Sequence, residues 1–534
     1  MKKSAGIHCL LVIITAGWLL HLTASISFAE PAQNGLAERI VSADLRQIKG
    51  PLNTMFKTCV GAGRANEGLR ADWQRQLTRV HEQCGFNYIR MHGLFCDDMG
   101  VYHDRAGRPE YNWQYIDELF DFLLSIGMKP FVEIGFMPAD LASGSQKIFW
   151  WRGNVTLPKD FNKWAELIQA FTRHVSDRYG EEEVKQWYFE VWNEPNLSGF
   201  FKGSQQDYFH LYDVTAKAIK SVSADYRVGG PATAGCGWIS DFIDFCVTQS
   251  SPVDFVSTHT YGVEKGFLDE KGNAGTVLSK NPRSIYGEMI DTRNKIRGSK
   301  LPELELHFTE WSSSYTPADP FHDSYHSAAY ILDKVKGAGN SVDSMSYWVF
   351  TDIFEEPGPR FTPFHGGFGL VNIQGINKPA FYAYQFMNRL GDTELQTVDT
   401  ASWVCRDKRG GIQALIWDYS LEQPAPTESN QVHYKRDLPS HSKWNTTLKL
   451  SGVSAGQYTL SVYRVGYRAN DAYSAYMDTG SPSQLSRAQI DYIKSMSDGK
   501  PERVSVIKVA SDGTVHETFT LKDNDVCFIT LTKQ

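Results

Sequence analysis

The sequence predicts an α/β fold: a (β/α)8 TIM barrel followed by an accessory β-sandwich domain. Three observations predict it. Between residues 55 and 390, short β-rich runs alternate eight times with helical patterns. After residue 391 the texture changes to strand-like runs parted by Gly, Ser, Asp and Pro clusters. The 534 residues also exceed what one ordinary core holds.

The elements follow in order. A strand over 56–60 precedes a helix with Leu69, Trp73, Leu77, Val80 and Cys84 at helical spacing, and Gly85 is placed to end it. A strand over 86–91 leads to a helix around Ile116, Leu119, Phe120, Leu123 and Leu124, with Gly127 after it. The third unit pairs strand 130–136 with helix 161–179, and the fourth pairs 187–192 with 206–222. The remaining units pair 227–229 with 238–247, 255–257 with 284–296, 305–309 with 324–336, and 344–350 with 379–390. A doubly wound open sheet is the runner-up. That fold announces a Gly-rich phosphate turn after its first strand, whereas Val60-Gly61-Ala62-Gly63 has no third glycine in register and opens no helix, and is read as a turn. In the tail, strands are expected over 403–405, 413–417, 444–450, 457–464, 504–509 and 526–531, with an exposed loop over 421–430. The stretch 39–48 is also strand-like. The expected organisation is therefore a leader over 1–29, an N-terminal strand segment over 30–54 joining the sandwich, a barrel over 55–390 and a sandwich over 391–534.

The leader is read from Lys2 and Lys3, the apolar stretch from Cys9 to Leu20, and Ser27-Phe28-Ala29 as a cleavage site. It predicts a secreted or periplasmic protein. The apolar run falls short of the roughly 20 residues a membrane span needs, so no stable span is expected once it is removed. A net charge of −7 and the lack of a long Lys/Arg run argue against nucleic acid as a partner. The seven cysteines beyond the leader are scattered, show no zinc-ligand spacing and read as mostly buried thiols. No metal or organic cofactor is implied. Oligomeric state is open, and the sandwich could serve as the interface of a homo-oligomer.

Active residues of such a barrel sit at the C-terminal ends of its strands. Strand 2 ends in Arg90-Met91-His92, strand 4 in Trp192-Asn193-Glu194-Pro195, and strand 6 leads into His259-Thr260-Tyr261. Strand 7 ends in Thr309-Glu310-Trp311, and strand 8 carries Trp348 before Asp352-Ile353-Phe354-Glu355-Glu356. Two glutamates at the ends of strands 4 and 7 face each other across the barrel mouth. Glycoside hydrolysis with retention needs such a pair: one carboxylic acid protonates the leaving oxygen, and one carboxylate attacks the anomeric carbon. The acid must keep its proton near neutral pH, so burial has to raise its pKa. Asn193 could donate to a sugar hydroxyl. Trp311 is read as core, His307 as internal to strand 7, and Asp97 and Asp98 as residues that orient the strand 2 loop.

Three stretches carry a resemblance: residues 88–102, with His92-Gly93 and Asp97-Asp98; Phe189-Glu-Val-Trp-Asn-Glu-Pro-Asn196; and 347–356, ending in Phe354-Glu355-Glu356. They resemble the clan of 4/7-type barrel glycosidases and, more closely, glycoside hydrolase family 39, whose founding activities are β-xylosidase and α-L-iduronidase. The Asp-Ile-Phe-Glu-Glu stretch is similar to the xylosidase branch. The resemblance implies Glu194 as acid/base and Glu310 as nucleophile. It implies Asn193 beside the acid, and His92, His259, Tyr261 and Trp348 lining the pocket, with Tyr315 a further member. It implies Glu355 and Glu356 as the carboxylates that hold the terminal sugar's hydroxyls. The implied function is exo-acting β-xylosidase action on xylo-oligosaccharides by double displacement. The alternatives are a retaining glycosidase of the same family acting on a glucoside, galactoside, arabinoside or uronide, and a non-catalytic carbohydrate-binding protein.

Overall fold

The computed structural model describes residues 36–268, 274–421, 424–425 and 428–534. The leader expected over 1–29 lies outside the described residues. No helix among them is long and apolar enough to cross a membrane.

Eight parallel strands close into a barrel in chain order: β1 Cys59–Arg64, β2 Tyr88–His92, β3 Lys129–Ile134, β4 Tyr188–Val191, β5 Arg227–Thr233, β6 Phe255–Tyr261, β7 Glu305–Ser312 and β8 Ser344–Tyr347. Their connections contain the helices α1 Ala71–Cys84, α2 Gln114–Ser125, α3 Phe161–Tyr179, α4 Gln205–Lys220, α5 Ile239–Gln249, α6 Tyr286–Arg297 and α7 His326–Ala338, and α8 Pro379–Asn388 follows β8. Local chemistry sets several helix ends. Gly85 ends α1 in a left-handed conformation at φ 78°. Asp160 caps α3 by accepting from the backbone of Asn162 and Lys163, and Ser204 with Asp207 forms a capping box on α4.

Several strands depart from the sequence reading: β5, β6 and β7 run on to Thr233, Tyr261 and Ser312, and the first and last of the barrel differ as well. The first runs over Cys59–Arg64 rather than 56–60, and residues 55–57 form a 3-10 turn instead. Val60-Gly61-Ala62-Gly63 is thus strand, not turn. Its glycines serve packing: a Cβ on Gly61 would lie 2.4 Å from the Trp348 ring, and one on Gly63 would lie 2.6 Å from the Glu67 carboxyl. Strand 8 stops at Tyr347 rather than 350, although the Trp348 N–H still donates to the Trp311 carbonyl of β7 at 3.0 Å.

The sandwich pairs a three-stranded sheet (Ala37–Asp44, Ser442–Ser451, Val515–Lys522) with a seven-stranded one. Ala37–Asp44 runs parallel to Ser442–Ser451, and Ile48–Pro51 pairs with Thr393–Leu395, so the chain before the barrel adds a strand to each sheet. Along Ile412–Trp417 the alternation is clear. Ile412, Ala414 and Ile416 enter the core between the sheets, while Leu415 and Trp417 face the barrel's core. Phe528 and Phe386 of α8 stack across that second contact, with ring centroids 5.0 Å apart.

Several tail features escape the sequence reading, the strand Thr393–Leu395 among them. Val515–Lys522 is a strand. The helices Ala472–Asp478 and Arg487–Met496 set Tyr473, Tyr476 and Ile493 against Phe364 in the chain after β8. Finally, the loop expected over 421–430 ends in a short helix whose buried Asn430 donates to Asp319 at 2.8 Å. All seven described cysteines are free.

Candidate active site

The site lies at the C-terminal ends of the barrel strands, where the loops converge on a cavity of about 700 Å³. Its lining includes His92, Asn193, Glu194, Tyr261, Glu310, Tyr315, Trp348 and Glu356. Glu194 follows β4 in a left-handed conformation at φ 45°, two residues after Trp192 at φ 72°. Non-glycine residues rarely adopt such angles, and neighbouring bonds hold them. The Glu194 N–H donates to the Ala232 carbonyl at 2.8 Å, and Asn196 exchanges two hydrogen bonds with Ala234. The loop after β4 is therefore pinned to β5. On the opposite side, a register shift between β6 and β7 sets His259 beside Glu310.

One carboxyl oxygen each from Glu194 and Glu310 and a ring nitrogen of His259 lie within 4.8 Å of one another. That spacing alone would admit a cation, but Arg90 already supplies positive charge to Glu310, and Glu194 and His259 bond each other. Arg90 is fully buried on β2. Its guanidinium donates to Glu310 Oε1 at 2.5 Å, Glu190 Oε2 at 2.6 Å and Asn193 Oδ1 at 2.9 Å, and pairs with Glu133 at 2.9 Å. The bond to Asn193 takes the amide oxygen, leaving its NH2 as the end able to donate to a ligand. The Tyr261 hydroxyl donates to Glu310 Oε2 at 2.7 Å. His92 bonds Glu133 at 2.6 Å and turns Nε2 toward Glu356 at 3.4 Å and Glu310 at 3.7 Å. Trp348 covers this floor, 4.8 Å from the His92 ring and 5.7 Å from the Arg90 guanidinium.

The environments push the ionisable groups apart. Burial raises Glu194 to about 7, against the opposing pull of the His92 and Arg90 cations. Burial likewise raises Glu356 to about 7, although the bond to His92 works against it. Burial alone would depress His92, but Glu133 overrides it and holds the imidazolium up to about 10. Glu310 and Glu190 also pull His259 upward, but burial outweighs them and pushes it down to about 4. The pair thus has one member poised to carry a proton near neutral pH and one braced by a guanidinium and a phenol.

Nine of the ten residues singled out from sequence meet here. His92, Asn193, Glu194, Tyr261, Glu310, Trp348 and Glu356 surround the cavity, His259 stands behind the pair, and Tyr315 is 46% exposed at the mouth. Glu355 is the exception. It turns away from the cavity to pair with Arg64 at 2.9 Å and Arg70 at 3.0 Å. Its backbone N–H donates to buried Glu67, so Glu355 anchors the loop that presents Glu356. The two acids open a turn closed by the Gly358 N–H donating to the Glu355 carbonyl at 3.0 Å, and the chain's change of direction there lets one face the cavity while the other faces the wall. Sequence reasoning missed Arg90, Glu133, Glu190 and Thr309 as site residues. For the three charged ones the available signal was a charged residue inside an apolar strand run, because a buried charge requires a partner; Thr309 carried no such signal.

The profile of Glycosyl hydrolases family 39 matches residues 40–515. A β-xylosidase of Geobacillus stearothermophilus is 40% identical over 482 residues, covering 89% of this chain and 92% of the relative. Among solved structures, a GH39 enzyme from Xanthomonas axonopodis pv. citri superposes with a TM-score of 0.90 at 42% identity, covering 93% of this chain and 98% of that one. A monomeric β-xylosidase from Caulobacter crescentus CB15 gives 0.89 at 43% identity, with coverage of 93% and 99%. With the profile spanning most of the chain and relatives above 30% identity along nearly their whole length, this chain belongs to the glycosyl hydrolases of family 39.

Proposed function

We propose that this glycosidase is an exo-acting β-xylosidase that releases xylose from xylo-oligosaccharides with retention of configuration. The observation that carries the reading is the approach of Glu194 and Glu310 to within 4.8 Å across the barrel mouth, in unlike electrostatic settings. Retaining glycosidases hold their two carboxyl groups about 5–5.5 Å apart, too close for a water between them. Glu310 attacks the anomeric carbon while the Glu194 proton passes to the glycosidic oxygen, and the alcohol departs. The resulting ester to Glu310 is opened by water. The water's hydroxyl bonds to the anomeric carbon, its proton goes to Glu194, and the Glu310 carboxylate is freed. Each glutamate returns to its starting state.

Xylose as the sugar rests on relatives named β-xylosidase that align along nearly the whole chain. Exo action fits a cavity whose floor is closed by His92, Trp348 and Glu356. The basic start and apolar stretch of residues 2–20 support export, and an oligosaccharide outside the cytoplasm is a substrate an exported enzyme would meet. A panel of aryl β-glycosides, with NMR of the first-formed anomer, tests the reading. The β-xyloside should turn over fastest and give β-xylose first, and Glu310→Ala should abolish turnover. An α-anomer as first product, or full activity in Glu310→Ala, would sink the mechanism. Faster turnover of another glycoside would replace xylose and leave the mechanism standing.

A further inference from the structure

We propose that Thr309 and Glu190 fix His259 as the tautomer protonated on Nε2, so that its bare Nδ1 accepts the proton of Glu194 and holds that side chain in the acid form between turnovers. The inference rests on reading Glu194 as the general acid, and it assigns positioning roles to three residues behind the reacting pair.

The argument is one of hydrogen-bond direction. Glu190 is fully buried on β4. Burial would favour its neutral form, but the Arg90 guanidinium at 2.6 Å prevails and holds its pKa below the ordinary value. A carboxylate can only accept. Thr309 Oγ1 lies 2.7 Å from Glu190 Oε1, so the single hydroxyl hydrogen is spent there. Toward His259 Nε2, at 3.1 Å, Thr309 can then only accept, and Nε2 must carry the hydrogen. The ring is completely buried and its pKa is pushed down to about 4, so it is neutral and its Nδ1 presents a lone pair. The nearest group to that lone pair is Glu194 Oε1 at 3.0 Å, with Glu310 Oε2 at 3.6 Å. Glu310 Oε2 takes the Tyr261 hydrogen, so Tyr261 cannot serve His259. The 3.0 Å contact is a hydrogen bond only if Glu194 supplies the proton.

The charged groups around Glu194 divide. Arg90 and His92 favour its ionised form, while Glu133 opposes it, with a Glu310 oxygen within 4.8 Å and Glu356 also interacting with it. The His259 lone pair adds to the side that retains the proton. Once the proton has gone to the leaving group, the new carboxylate faces that lone pair at 3.0 Å, an unfavourable contact. The same arrangement therefore makes Glu194 a willing base for the incoming water.

The test uses the full-length protein and two readouts. Long-range ¹H–¹⁵N NMR of imidazole-labelled enzyme, with His259→Gln to assign the signal, should show a pyrrole-like Nε2 and a pyridine-like Nδ1. The opposite tautomer, or an imidazolium at neutral pH, overturns the proposal without reference to turnover. In the second readout, Thr309→Val frees Nε2 and lets Nδ1–H donate to a Glu194 carboxylate. The alkaline limb of kcat/KM should move to lower pH by about one unit. Thr309→Ser, which keeps the hydroxyl, should leave that limb in place. A merely structural role would lower kcat in Thr309→Val without moving the limb, and that result also overturns the proposal. Failure of the family chemistry itself would appear as no glycosidase activity in wild type, while the tautomer would still be measurable.

Discussion

The alkaline limb of the pH profile should belong to Glu194 and vanish with it. Burial raises this carboxyl from an ordinary value of 4.5 to about 7. At pH 7 an unperturbed glutamic acid would be about 0.3% protonated, whereas Glu194 is about half protonated, a gain on the order of 150-fold in acid form. The sign follows from the role. The acid form is the active one, so kcat/KM should be flat below about pH 7 and fall tenfold per unit above it. Glu194→Ala removes both the proton and its titration. For a xyloside with a poor leaving group, the loss should be roughly 10²- to 10⁴-fold. For a dinitrophenyl leaving group, which needs no acid, the first step should be nearly spared and the enzyme should stall as the glycosyl ester. Added azide should relieve the stall and yield the β-glycosyl azide. The assay is steady-state and burst kinetics on both substrates from pH 5 to 9. A limb that persists unchanged in Glu194→Ala would refute the reasoning, because the titrating group would lie elsewhere.

Other predictions follow from the packing around the pair. Arg90→Met should destabilise the barrel by about 3–5 kcal/mol in denaturant unfolding, because Glu133, Glu190 and Glu310 lose a shared, fully buried cation; an unchanged midpoint would contradict this. Gly61→Ala should cost about 1–3 kcal/mol and lower activity, since the new Cβ would meet the Trp348 ring at 2.4 Å; thermal unfolding and kcat/KM read both effects, and a neutral outcome would mean that Trp348 yields freely. Glu356→Gln should raise KM for the glycoside by about 10- to 100-fold, the range for losing a hydrogen bond to a charged group. Glu355→Gln should change KM by less than about threefold, because Glu355 faces Arg64 and Arg70 rather than the cavity. Equal KM effects in the two variants would place Glu355 in the sugar site after all.

Much of the fold was legible because its signals are local. Eight runs of apolar residues, each followed by a 3.6-residue period, can be counted along the chain. A short apolar run marks residues 413–417 as strand, although only the structure shows that its two faces serve two different cores. Where the reading slipped, packing overrode local pattern. Gly61 and Gly63 look like a turn in isolation, but they are strand residues thinned to admit Trp348 and Glu67. The helix Ala472–Asp478 was hidden in a tail read as strands, though the Asp471 cap was a visible clue.

The sequence by itself determined the barrel class, the accessory sheets and the placing of two glutamates at the ends of the fourth and seventh strands. Strand ends are local features, and the barrel converts their order into opposition across its mouth. The tertiary structure alone decided what surrounds that pair. Arg90 reaches Glu310 across 220 positions of chain, and His259 reaches Glu194 across 65. It likewise decided which of Glu355 and Glu356 faces the cavity. The physical reason is that a carboxyl group's protonation and aim depend on burial and on the charges and donors within a few ångströms. Those neighbours arrive from β2, β3, β6 and β7, and the order of residues along any one strand does not reveal them.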